Sequence, residues 1–221
     1  MSGVSWPAFL DPVVRSIQVA LLASVLAFVA GVAAAKPMSR ARFRGKALVE
    51  TVAMLPLVLP PTVIGFVLLT VLGRRSWPGR LAEWLFDRPI VFSWQAAVIA
   101  AAVVAFPLVY QTAKVGFASI DPDLEAAGRS MGAGEWQLLR YVTLPLAGRA
   151  LLAAYVLGFA RAIGEFGATL MLAGNIPGKT QTLPTAIYIA SETGNASLAW
   201  WWTGTIVAFS YALLLLVSRK N

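Results

Sequence analysis

Apolar residues in this chain fall into long unbroken runs, not the short periodic patterns of half-buried elements. A helix that crosses the hydrocarbon of a bilayer needs about 20 mainly apolar residues. Four stretches reach that length without a charge: Ser16 to Ala35, Thr51 to Gly73, Pro89 to Ala113 and Thr193 to Ser218. A fifth runs roughly from Pro145 to Leu172 and carries Arg161 and Glu165 in its interior. The pattern predicts an all-α integral membrane protein of about five transmembrane helices, forming one domain over residues 13–218 behind a short N-terminus, 1–12.

Between the runs the chain is polar, and the polar segments differ in charge. Lys36 to Lys46 holds five basic residues, Lys114 to Arg149 four more, and Arg219 and Lys220 close the chain, eleven in all. The remaining connections carry Arg15, Arg74, Arg75, Arg80, Arg88 and Lys179. The richer side belongs in the cytoplasm, so the N-terminus is expected outside and the C-terminus inside. The segment around Leu81, Trp84, Leu85 and Phe86 has the spacing of a short amphipathic helix on the membrane surface. Trp77 and Trp84 suit headgroup level there, and Trp200, Trp201 and Trp202 suit the outer end of the last span.

Composition agrees with the pattern. The 221 residues are 58% hydrophobic and 13% charged, and the net charge is +8. In a soluble chain that charge would point to nucleic acid, but here it lies between membrane spans and sets orientation. The chain has no Cys and no His. The commonest zinc sites, thiol nucleophiles and imidazole acid–base chemistry are therefore excluded. No bound cofactor or metal is expected in this chain.

Three local features carry more than hydrophobicity. The second run contains Pro56, Pro60 and Pro61 in LPLVLPPTVIG. Each proline removes an amide donor and crowds the preceding turn, so this helix must kink or partly unwind. The result is a structural bend or a deformable wall of a pathway, and the two readings are compatible. In the fifth run, Arg161 and Glu165 stand four residues apart, a spacing that shares one helix face. They form an ion pair that locks the bundle, or they place a cation where an anion passes. Finally, AGNIPGKT (Ala173 to Thr180) fits a loose nucleotide-loop pattern, but it follows a membrane span and contains Pro177. A turn followed by a short helix from Thr182 is the better reading.

The segment DPDLEAAGRSMGAGEWQLLRYVTLP, Asp121 to Pro145, is more than a connector. Asp121 can cap a helix that starts at Pro122, with Asp123 and Glu125 in the favourable first turn. Leu124, Ala127 and Met131 recur at helical spacing, Gly132 and Gly134 end that helix, and Glu135 can start another. A short helix–glycine–helix with an apolar stripe has the shape of a docking element.

This segment resembles the EAA loop of ABC importer permeases. From Gly132, nine residues lead to Val142, then Thr143, Leu144 and Pro145, as in that family's spacing. Glu125, Ala126 and Ala127 supply the EAA run, with one departure: strict counting places Ala126 at the glutamate position. The resemblance implies the type I ABC importer permease fold, with a cytoplasmic coupling helix and no catalytic residues. It implies a homodimer in the bacterial inner membrane, two cytoplasmic ATPase subunits that hold ATP and magnesium, and a periplasmic binding protein. Leu55 to Gly79, FARAIGEFGATL (Phe159 to Leu170) and GNIPGKTQTLPTAIY (Gly174 to Tyr188) look like the molybdate branch of that family. Tungstate, sulfate and thiosulfate are the neighbouring oxyanion readings. A stand-alone carrier or channel, or an intramembrane enzyme, would be the competing classes.

Overall fold

The computed structural model describes residues 6–218, and every element among them is a helix. Arg219 and Lys220, counted above toward orientation, lie outside the described residues. The helices are α1 (Trp6–Arg40), α2 (Lys46–Val58), α3 (Pro61–Leu72), α4 (Trp77–Phe86), α5 (Trp94–Ala118) and α6 (Pro122–Ser130). After α7 (Glu135–Leu138) a π turn covers Leu139–Thr143, followed by α8 (Leu144–Leu146), α9 (Gly148–Ile163), α10 (Gly167–Ala173), α11 (Leu183–Glu192) and α12 (Ala196–Ser218).

The interior is built from small side chains. Ala20, Ala23, Ser24 and Ala27 of α1 meet Ala97, Ala100, Ala101 and Ala105 of α5, all fully or almost fully buried. Val109 of α5 wedges between two glycines. A methyl group on Gly31 of α1 would come within 2.8 Å of one Val109 Cγ, and one on Gly158 of α9 within 2.6 Å of the other. Leu22, Val25, Leu26 and Val29 of α1 instead face outward. Large apolar residues outside and alanine inside invert the soluble pattern. Lipid rewards no burial of leucine between helices, so association rests on close backbone approach.

Five apolar runs become two unbroken helices, two broken pairs and α12. By length and composition α1 and α5 can each cross a membrane alone. The second run is cut into α2 and α3, bent by 112°. Leu59 and Pro60 are extended (ψ 143° and 136°) because a residue that precedes proline is pushed out of the helical region. Pro61 then opens α3 as its first residue. Pro56 stays inside α2, so only two of the three prolines make the break. The fifth run also differs from one continuous span: it bends by 73° at Ala147 and is interrupted again between Ile163 and Gly167.

The first helix begins ten residues before its apolar run, absorbing most of the expected N-terminal tail. Those added turns pack on α11 and α12, where Phe9 stacks on Trp202 with ring centroids 6.2 Å apart. Trp202 is 5% exposed and its Nε1 donates to the Phe9 carbonyl at 3.0 Å, so it is a packing residue and not an interfacial anchor. Trp77, Trp84, Trp200 and Trp201 are exposed, as anchors require. The Ala173–Thr180 run is a turn that no strand precedes. The buried Thr180 hydroxyl accepts from the Ile176 amide at 3.0 Å and closes it.

Candidate functional site: a coupling loop and a buried ion pair

The segment from Asp121 to Pro145 folds as its sequence predicts at both helix starts. The Asp121 carboxylate accepts from the Asp123 amide at 2.9 Å and caps α6, while α7 begins at Glu135. Gly132 sits at φ +87°, where a side chain is strained, and a methyl group there would meet nothing within 4 Å. Its role is therefore the turn itself. Close packing inside the loop falls to Gly128, where a methyl group would lie 2.4 Å from Leu138 Cδ2. Leu138 is buried against it and ties α7 to α6.

Glu125 is the centre of this loop. It is 3% exposed, although the residues around it on α6 are open to solvent. Lys36 Nζ donates to its Oε1 at 2.8 Å, and the buried Thr143 hydroxyl donates to the same oxygen at 2.8 Å. Arg40 Nη1 donates to Oε2, and the other Arg40 nitrogen reaches the Ile120 carbonyl at 3.1 Å. Arg129 stands 3.7 Å from Oε2 and pairs more closely, at 2.6 Å, with Glu135. Burial pushes the Glu125 carboxyl up, but hydrogen bonds from Lys36 and Thr143 and the charges of Lys36 and Arg40 together bring it below the ordinary carboxylate range. One carboxylate thus joins the end of α1, helix α6 and the π turn before α8.

Sequence reasoning names Glu125 but misses its partners. Lys36 and Arg40 read only as members of a basic segment, and Thr143 only as a spacer in the Val-Thr-Leu-Pro run. The available signal was their spacing: four apart at the end of a helix, they share a face. Ala126 and Ala127, with Leu124 and Met131, lie on the exposed side of α6, Met131 at 88%. Trp136 and Tyr141 extend this exposed surface at 70% and 69%. Leu144 and Pro145 form the short α8 behind it. The loop therefore offers an apolar outer face on a support locked from behind by an ion cluster.

The second pair is arranged differently from its sequence reading. Arg161 lies in the last turn of α9, but Glu165 lies in the break after Gly164, so the two do not share one helix. Glu165 Oε1 accepts from the Ala168 amide at 2.8 Å and caps α10. Its Oε2 meets Arg161 Nη1 at 2.9 Å, a charge contact without the alignment of a hydrogen bond. The Glu165 side chain is 1% exposed and that of Arg161 28%, so the carboxylate is sealed and the guanidinium borders open space. Pro60 and Pro61 adjoin this break: a methyl group on Gly167 would lie 3.2 Å from Pro61 Cβ. The predicted proline break and the unpredicted break after Gly164, far apart in sequence, lie side by side.

The chain belongs to the binding-protein-dependent transport system inner membrane components, whose pattern matches residues 27–219. It is 52% identical over 220 residues to a putative molybdenum transport system permease protein of Bacillus subtilis strain 168, covering 100% of this chain and 97% of the relative. It is 43% identical over 182 residues to the molybdenum transport system permease protein ModB of Escherichia coli K12, covering 82% and 79%. Among solved structures, the inward-facing MetNI methionine ABC transporter matches with a TM-score of 0.75 at 18% identity, over 98% of this chain and 97% of that one. That likeness shows the type I importer permease fold.

Proposed function

We propose that this chain is the membrane-spanning subunit of an ATP-driven importer of molybdate. The observation that carries the transport reading is the loop around Glu125, which presents an apolar face while bonded to the end of α1 and, through Thr143, to the π turn that leads into α8 and α9. Such an element can receive a push from a partner and pass it to two spans at once. The names of these two relatives, matched over 97% and 79% of their own length, support molybdate as the cargo.

In this reading the chain forms a homodimer, and α2 supports that, because none of its 13 residues is buried in the single chain. Two cytoplasmic ATPase subunits dock on Leu124, Ala127, Met131 and Trp136, and they hold ATP and magnesium. A periplasmic oxyanion-binding protein delivers cargo at the opposite end. The loop side is cytoplasmic, the N-terminus external and the C-terminus internal. When the ATPase subunits close, α6 moves as a unit with Leu138, and Glu125 draws the Lys36–Arg40 end of α1 with it. The π turn carries the same displacement into α8 and α9, whose far end holds Arg161. The Pro60–Pro61 and Gly164–Phe166 breaks let the wall beside Arg161 change shape without unfolding a continuous helix.

Uptake of radiolabelled molybdate in a strain lacking this chain tests the proposal. Restored uptake that tungstate competes and excess sulfate leaves largely intact is expected. Uptake that sulfate abolishes would reassign the cargo, and uptake independent of the ATPase subunits would reject the importer reading.

A further inference from the structure

At the end of the bundle opposite α6 lies a cavity of about 810 Å³ between the end of α3, the turn before α5 and the turn after α10. Helix α5, 25 residues long, separates it from the coupling loop by about 1.5 Å per residue. Four cations line it: Arg74, Arg75, Arg88 and Lys179. Glu83 answers Arg74 at 3.1 Å. The other three have no carboxylate within ion-pair distance among the described residues. The rest of the wall is largely apolar, with Leu69, Val91 and Phe92 prominent. Phe92 is held at φ +60°, a costly conformation for an aromatic residue, and its ring packs beside Gly174 while staying 53% exposed.

We propose that this cavity binds the headgroup and upper acyl chain of an anionic phospholipid. A free tetrahedral dianion would meet the same cations but leave the apolar wall uncovered, facing water. An anionic phospholipid meets both halves: its phosphate takes charge-assisted bonds from Arg75, Arg88 and Lys179, and its chain covers the apolar surface. A zwitterionic lipid brings an ammonium that the cation cluster repels. The position suits a lipid as well, since α4 beside the cavity exposes Trp77, Trp84 and Leu85 in the manner of an interfacial helix. Arg74 bound to Glu83 fixes the rim from the side of α4.

Native mass spectrometry of the full-length chain in detergent, titrated with phosphatidylglycerol or phosphatidylcholine of matched acyl chains, tests this directly. Three unanswered cations predict at least about a tenfold preference for phosphatidylglycerol at low ionic strength. Arg75→Gln, Arg88→Gln and Lys179→Gln together should abolish the preference, while Arg42→Gln with Arg44→Gln, at the other end, should keep it. Millimolar molybdate or inorganic phosphate should leave the lipid in place. Equal retention of the two lipids by the unmodified chain overturns the proposal without any variant. An unchanged preference in the triple variant, or displacement of lipid by the free oxyanion, overturns it too.

Discussion

Glu125 concentrates more charge around one atom pair than any other residue described in the bundle. Removing it leaves Lys36 and Arg40 facing each other beside the buried Thr143 hydroxyl. Glu125→Ala is expected to lower stability by about 1.5–3 kcal/mol, the scale of hydrogen bonds to charged groups, and to reduce uptake more than it reduces expression. Thermal unfolding in detergent together with transport per inserted molecule measures both. Because the Glu125 carboxyl is depressed in the folded chain, its contribution is complete above the ordinary carboxylate value of about 4.3 and is lost as pH falls through its lower folded value. Unfolding temperature should therefore be insensitive to this group between about pH 6 and 8, and the Glu125→Ala deficit should shrink under stronger acid. A deficit that grows on acidification would contradict the ion cluster.

The same scale decides between the readings of Arg161 and Glu165. Glu165 is sealed and caps α10, so a lone Arg161→Met leaves an uncompensated buried carboxylate, which can cost about 3–5 kcal/mol. Arg161→Met with Glu165→Gln removes both charges and keeps an acceptor for the Ala168 amide. The double variant is expected to regain expression and most uptake, as a structural lock requires. A double variant that inserts normally and transports nothing would show instead that Arg161 serves the cargo.

At the scale of elements, two glycines of the Asp121–Pro145 loop are expected to fail in different ways when replaced. Gly128→Val drives a branched side chain into Leu138 and should part α7 from α6, so that the ATPase subunits no longer co-purify although the chain inserts. Gly132→Ala meets open space and pays only for its positive φ, about 1 kcal/mol, so it should retain most uptake. Equal effects of the two would remove the distinction between a packing glycine and a turn glycine. The α2–α3 break was legible because proline acts on its own neighbours in sequence. The 112° angle was not, since it depends on Gly65 of α3 fitting against Ala168 of α10, where a methyl group would come within 2.8 Å of the Ala168 Cα.

For the whole molecule, the two ends of α5 divide the polar segments as the charge count predicts. Lys36, Arg40 and Glu125 meet at one end, while Arg74, Arg88 and Lys179 border one cavity at the other. Single cysteines placed in this Cys-free chain at Arg42 and Ser130 should react with an impermeant thiol reagent only from the cytoplasmic side, and those at Arg80 and Lys179 only from outside. Labelling at 130 but not at 80 in cells with a permeabilised outer membrane would invert the proposed orientation.

The all-helical membrane class, the positions of five apolar runs, the Asp121 cap, the Glu135 helix start and the turn through Thr180 all follow from the sequence by itself. Each depends on local composition, proline geometry or a cap whose partners lie within a few residues. Tertiary structure alone decided which irregularities act together. Lys36 and Arg40 reach Glu125 across more than 80 positions, and Trp202 turns inward to Phe9 across 193. Pro61 meets Gly167, and Glu165 leaves the helix of Arg161 to cap the next one. A buried charge takes whatever counter-charge the packed chain brings near it. Chain spacing does not encode that distance, because alanine and glycine surfaces, close-packed between α1, α5 and α9, set it.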